Sequence, residues 1–191
     1  MSERNYNWDA IAAIIAALIG LLAIFISGYT AWNVRQQTRA QVWPYLELGE
    51  SDSLPTDQVN GQSHGGLLVA MNQGVGPAHV RSLEVLVDGK PQPDWNHVFA
   101  ALGVEPGSFS TSTFNHTVLS PGEKLDYLVI IGHKDWLRFK SKLGGDIVVR
   151  ACYCSTLGDC WTSALNYRKT LHQGQPVDSC SRVPNAEQFR N

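Results

Sequence analysis

Hydrophobic and polar positions divide the chain into two parts with different periods. Residues 10–34, AIAAIIAALIGLLAIFISGYTAWNV, form 25 consecutive uncharged positions between Asp9 and Arg35, and most are apolar. At ~1.5 Å per residue, about 20 such residues cross the ~30 Å hydrocarbon core of a bilayer. The pattern predicts a transmembrane helix over 10–34, preceded by a short segment, 1–9, that an extracytoplasmic domain would leave in the cytoplasm. Tyr6 and Trp8 flank one end and Tyr29 and Trp32 the other, which puts amphipathic rings at both headgroup levels. A buried helix of a soluble protein would use only ~10–14 apolar residues. A cleaved signal peptide would need a basic start, a shorter apolar run and a small-x-small cleavage site. Here MSERNYNWD carries two acids and one arginine, and no clear site of that kind follows. The segment therefore reads as an uncleaved signal anchor.

One face of this helix is lined by small residues. Ala12, Ala16, Gly20, Ala23, Ser27 and Ala31 recur at spacings of 4, 4, 3, 4 and 4. Such a stripe lets helix backbones approach closely, as paired membrane helices do. The expected partners are lipid and, through the stripe, a second copy or another membrane protein. The bland alternative is that Ala and Gly are simply common in membrane helices.

After Val34 the helical pattern continues through RQQTRAQ (35–41) as a stalk, and Pro44 then disfavours helical geometry at Trp43. From there the period changes to that of strands. VWPYLEL, GLLVAMN, HVRSLEVLVDG, KLDYLVIIG, DIVVRACYC and CWTSALNY are short β-rich runs between Gly, Pro, Asn and Asp punctuation. Asp88-Gly89 signals a two-residue hairpin and Pro121-Gly122 another turn. PDWNHVFAAL, with Asp94 as N-cap, and HKDWLRFKSKLGG predict two short helices. Polar, Gly-rich 49–66 reads as a mobile loop. Alternation assigns Leu83, Val85 and Val87 to a core face. It does the same for Tyr127, Val129 and Ile131, and for Ile147, Val149, Ala151 and Tyr153, with Trp161 and Leu165 joining from the next strand. The expected fold is a mainly β, antiparallel immunoglobulin-like β-sandwich over 42–170, followed by a tail, 171–191.

Composition narrows the function. Residues 41–191 hold 15 acids and 12 bases, a net charge of about −3, with no Lys/Arg run. Nothing there suggests nucleic acid. The histidines at 64, 79, 97, 116, 133 and 172 are dispersed. No H-E-x-x-H, G-x-S-x-G, Walker or S-x-x-K pattern occurs. No catalytic residues, cofactor or metal are expected. Gly74 and Gly76 form only a G-x-G, with no strand–loop–helix arrangement for phosphate.

Four cysteines, Cys152, Cys154, Cys160 and Cys180, lie in the C-terminal quarter. An even number after a membrane anchor suits two disulfides in an oxidising compartment. Cys152 and Cys154 share a strand face opposite the assigned core. A hairpin centred on Leu157 would set Cys154 against Cys160, leaving Cys152 to pair with Cys180 and strap the tail. Four cysteines allow three connectivities. The rival is a zinc site, with Cys180 or His172 completing a set of thiolates, although C-x-C-x5-C is not the usual paired spacing.

Asn72-Gln73-Gly74-Val75-Gly76-Pro77-Ala78, Cys152-Tyr153-Cys154-Ser155 with Cys160-Trp161, and the junction Trp43-Pro44-Tyr45-Leu46 carry a resemblance. They resemble a loose, largely uncharacterised group of bacterial single-pass membrane proteins with an N-terminal signal anchor and a small immunoglobulin-like sandwich. That resemblance implies an anchor and a fold, but no reaction or ligand. The charge flanks, Arg4 on one side against Arg35 and Arg39 on the other, slightly favour a cytoplasmic C-terminal side. The cysteines favour the opposite side, and we take the domain as periplasmic, on a bacterial inner membrane. The expected role is binding or assembly, as an accessory subunit of a membrane complex. The alternative is a cysteine-dependent metal-binding sensor or enzyme.

Overall fold

The computed structural model describes residues 8–55, 64–105, 107–143, 145–165, 173–180 and 189–190. The chain forms two compact units that divide between Gln41 and Val42. The first contains a single helix, α1, Trp8–Gln41, in which no residue is buried. It is long and apolar enough to cross a membrane. The helix runs through the uncharged segment and the stalk without a break and stops three residues before Pro44.

The second unit is mainly β. Among its described residues are ten strands: β1 Leu46–Ser51, β2 Gly65–Asn72, β3 Ala78–Val87, β4 Lys90–Pro91, β5 Ser108–Thr111, β6 Val118–Leu119, β7 Lys124–Ile131, β8 Ile147–Cys154, β9 Cys160–Leu165 and β10 Gln175–Val177. Two helices interrupt them, α2 Trp95–Leu102 and α3 His133–Leu143. One sheet has the order β1-β2-β7-β5 and the other β10-β9-β8-β3-β4, with β6 also paired to β3. All these pairings are antiparallel. Leu46, Leu68, Leu128 and Ile130 of the first sheet share one buried cluster with Val80, Val85, Val149 and Tyr153 of the second. The unit is a β-sandwich whose core is the space between its sheets.

Local sequence explains the connections. Asp88 and Gly89 both have positive φ (50° and 77°), the backbone required at both central positions of the tight turn joining β3 to β4. Asp94 caps α2 by accepting from the His97 N–H at 3.0 Å, and Gly103 ends it in the left-handed conformation at φ 62°. The two helices bring Trp95, Phe99, Trp136 and Phe139 into the core.

Three expectations change. Alternation on β7 assigned Val129 and Ile131 to the core with Tyr127, yet the buried residues are Tyr127, Leu128 and Ile130, and Ile131 is exposed. The reason is a bulge: Leu68 pairs with Leu128 while Val69 pairs with Asp126, so Tyr127 is the extra residue. Beyond it every side chain has switched face. Arg81 does the same on β3, where Val80 pairs with Tyr153 and Ser82 with Cys152. Second, the expected loop 49–66 is partly sheet: Gly49–Ser51 pair with Leu67–Val69, and Gly65 and Gly66 begin β2. Residues 56–63 of that segment lie outside the described residues. Third, Trp161 is only partly buried, stacking on Tyr153 at 6.0 Å between ring centres.

Candidate functional site

The motif segments of the sequence meet at one place, where the chain enters the sandwich. Asn72, the last residue of β2, is fully buried. Its side-chain oxygen accepts from the N–H groups of Tyr45 (3.2 Å) and Gly74 (3.0 Å). Its amide nitrogen donates to the carbonyls of Gly76 (2.8 Å) and Leu119 (2.9 Å). Its backbone N–H donates to Glu123 O at 3.0 Å, and its carbonyl accepts from Gly122 N at 2.7 Å. The entering segment is paired directly with the next loop: Gln73 N–H donates to Tyr45 O (2.8 Å), and Val75 and Gly76 N–H both donate to Trp43 O (3.0 and 3.1 Å). The glycines permit that approach. A Cβ at Gly74 would collide with the backbone of Trp43–Tyr45, and one at Gly76 with the backbone of Val42. The W-P-Y-L and N-x-G-x-G-P segments are thus two halves of one clasp.

The cysteines form a second cluster. Cys154 and Cys160 are directly opposite in the β8–β9 ladder and are bonded (S–S 2.10 Å). Cys152 is bonded to Cys180 (S–S 2.06 Å). The two bridges touch, with Cys154 Sγ 3.6 Å from Cys180 Sγ. Cys154, Cys160 and Cys180 have sulfurs within 4.8 Å of one another, a spacing that could hold a metal. In the oxidised state Cys154 and Cys160 are bonded to each other and Cys180 to Cys152, so these sulfurs offer no thiolate, which a zinc site requires. His172 lies outside the described residues.

The tail does more than follow a bridge. Residues 175–177 extend the second sheet as β10 beside β9. Gln173 pairs through its side-chain amide with both backbone groups of Leu48 on β1 (3.2 and 3.0 Å). Ser163 of β9 donates to Leu46 O at 2.5 Å and accepts from Gly174 N at 3.0 Å. Together these close the gap between the edge strands of the two sheets. Phe189 is buried against Trp95, ring centres 5.0 Å apart, and its carbonyl accepts from the Asn115 amide. Sequence reasoning missed Asn72, Gln173 and Phe189 as structural keys. For Asn72 the local signal was an asparagine opening a G-x-G-P loop at a strand end; its partner segment was not marked. For Phe189, one aromatic in a polar tail, there was none.

The small-residue stripe lies along α1 from Ala12 to Ala31, and all six residues are exposed. A Cβ added at Gly20 would meet nothing within 4 Å, so the stripe is open surface on the single chain.

Elsewhere, charged groups act as structural ties. Lys140 of α3 reaches Asp52 (2.6 Å) and Glu50 (3.0 Å), and Trp136 Nε1 donates to Asp52 at 2.8 Å. The Lys140 hydrogen bond, aided by Trp136, holds the Asp52 carboxyl below its ordinary value, and raises Lys140 above its own. The Asp94–His97 pair, 2.7 Å, belongs to the α2 cap. Burial raises the Tyr127 hydroxyl far above its ordinary value, keeping it neutral. None of these groups is paired with an activated nucleophile.

Comparison of the chain with protein-family models, with curated proteins and with solved structures gave no match. The class is therefore defined by the fold itself, a β-sandwich with two disulfides and one helix long and apolar enough to cross a membrane.

Proposed function

We propose that this chain is a membrane-anchored binding and assembly module, an accessory subunit of a bacterial inner-membrane complex, with its sandwich in the periplasm. The observation that carries the reading is α1: 34 residues, apolar over its span, none buried, with a continuous stripe of small side chains. An apolar surface of that length is covered by lipid, and the stripe suits a second helix. Residues 10–34 are a signal anchor that stays attached, and the two disulfides suit an oxidising compartment.

The domain is immunoglobulin-like in this reading. The order β1-β2-β7-β5 opposite β9-β8-β3-β4 corresponds to strands A-B-E-D opposite G-F-C, with β4 in the place of an added C′ strand. It departs from antibody domains in its bridges, which lie on β8, β9 and the tail instead of joining the sheets. Sandwiches of this kind bind through loops and faces.

Purification of the tagged full chain from its native membrane in a mild detergent tests the proposal. A stable species containing a second copy or a stoichiometric membrane partner is expected. A strictly monomeric chain with no partner would count against it. A C-terminal reporter active only in the periplasm checks the side; activity only in the cytoplasm would overturn the localisation. The metal-sensor alternative predicts zinc bound after mild reduction.

A further inference from the structure

The two bridges share a contact that neither needs as a staple. Cys152 and Cys154 lie two residues apart on β8, on the face opposite the core side chains Ala151 and Tyr153. At the usual strand rise they are about 7 Å apart along the outer face of the sheet. The tail leaves β10 at Val177, beside Cys160, crosses β9 and brings Cys180 to both of them. Cys180 is bonded to Cys152, and its Sγ is 3.6 Å from the Sγ of Cys154. Cys154 is in turn bonded to Cys160, and the sulfurs of Cys154, Cys160 and Cys180 lie within 4.8 Å of one another. Thiol–disulfide exchange needs a thiolate in contact with a disulfide sulfur, close to the ~3–3.5 Å of a near-attack arrangement. One bridge, once opened, therefore holds its freed sulfur against the other.

The Cys152–Cys180 bridge is also within reach from outside. A cleft of about 270 Å³ lies between Ser82 and Glu84 of β3 and Val177 and Ser179 of the tail, with Arg150 and Cys152 of β8 between them. Cys180 itself is half-buried. Arg150 precedes Cys152 by two residues, so it shares the outer face and lines the same cleft. A neighbouring guanidinium favours thiolate over thiol.

We propose that the paired bridges are a thiol–disulfide exchange centre whose co-substrate is a dithiol entering this cleft. One thiolate of the dithiol attacks Cys152 Sγ, forming a mixed disulfide and expelling the Cys180 thiolate. The second thiol loses its proton to solvent and attacks the dithiol's own sulfur in that mixed disulfide. The dithiol leaves as a disulfide, and Cys152 departs as a thiolate that takes up a proton. The dithiol has lost two electrons and the Cys152–Cys180 bond has gained them. The Cys180 thiolate then attacks Cys154 Sγ. The Cys154–Cys180 bond forms, the Cys154–Cys160 bond breaks, and Cys160 leaves with the electron pair and is protonated by solvent. This last step transfers no net electrons. It moves the anchor of the tail two residues along β8 and leaves Cys152 and Cys160 as thiols. The proposal goes beyond the binding reading and uses the sandwich alone, so it stands or falls without the span.

Two variants of the full chain in detergent test the exchange. Cys152→Ala leaves a thiol at Cys180 beside the Cys154–Cys160 bridge, and Cys160→Ala leaves one at Cys154 beside the Cys152–Cys180 bridge. Each is equilibrated near the ordinary thiol pKa of about 8.5, acid-quenched and labelled with a maleimide. Acid digestion and mass spectrometry then locate the label. The expected result is label at Cys160 as well as Cys180 in the first variant, and at Cys152 as well as Cys154 in the second. The exchanged position should carry at least about a tenth of the label, the share left when the two bridges are within tenfold of each other in stability. Label confined to the sulfur that lost its partner overturns the proposal, as does a split that disappears on dilution, which would mark exchange between copies. Wild-type chain treated with a limiting amount of dithiothreitol keeps the test open if a variant fails to fold. A Cys154–Cys180 linkage with thiols at Cys152 and Cys160 supports the exchange; thiols only in the original pairs overturn it.

Discussion

Asn72 spends every hydrogen-bonding group it has on backbone from four places: the entering chain, its own loop, β6 and the β6–β7 turn. A buried amide so used is costly to replace, because its partners stay buried without it. Asn72→Ala should lower the stability of the sandwich by about 3 kcal/mol or more, at ~1–3 kcal/mol for each strongly buried orphan. Gly76→Ala should cost about 1–3 kcal/mol by overpacking against Val42. Urea unfolding of the full chain, followed by tryptophan fluorescence, measures both. A surface-loop role for this motif predicts changes within about 0.5 kcal/mol instead.

At the scale of elements, the bridges differ by the loops they close. Cys152–Cys180 spans 28 positions and Cys154–Cys160 only 6. Loop-closure entropy then makes the first worth roughly 3.5 kcal/mol and the second roughly 2 kcal/mol. Paired Ala substitutions at 152 and 180 should therefore lower the thermal midpoint more than those at 154 and 160. The α3 tie gives a pH signature. The Asp52 carboxyl titrates below its ordinary 3.8 when folded. A depressed folded value contributes stability that is complete above the unfolded value and lost as pH falls through the folded one. Its side chain is 62% exposed, so solvent screening limits the effect to about 1 kcal/mol or less. Urea midpoints of Asp52→Asn should fall below those of the parent above the ordinary carboxylate value and converge on them as pH falls through the lowered folded one.

The strands β2, β3, β7, β8 and β9 were legible because β-branched and aromatic runs lie between clear turn residues, and Asp88-Gly89 is a backbone requirement visible in two letters. The phase of β7 was not legible. A bulge at Tyr127 is decided by how β2 lies beside it, and no local pattern in KLDYLVII announces it. Strands as short as β4, β6 and β10 have too few residues to show any period.

For the whole molecule, the long apolar helix was the most legible part, since 25 consecutive uncharged, mostly apolar residues set its length and character. The pairing of W-P-Y with N-x-G-x-G-P was not legible, because the two segments are about 30 residues apart and read locally as the start of a strand and as a turn. Phe189 was not legible for a related reason: it is buried against Trp95, a residue far away along the chain. The sandwich is clasped tightly at its chain-entry end, and α1 by itself exposes a stripe of small residues.

The central claim is that α1 assembles as well as anchors. Native mass spectrometry of the chain, taken from its own membrane in nanodiscs, tests it most directly when wild type is compared with Gly20→Leu. The account predicts a wild-type assembly heavier than the 21.0 kDa chain, reduced to single chains by Gly20→Leu with the sandwich still folded. A wild-type chain of 21.0 kDa alone, or an assembly indifferent to Gly20→Leu, would contradict it.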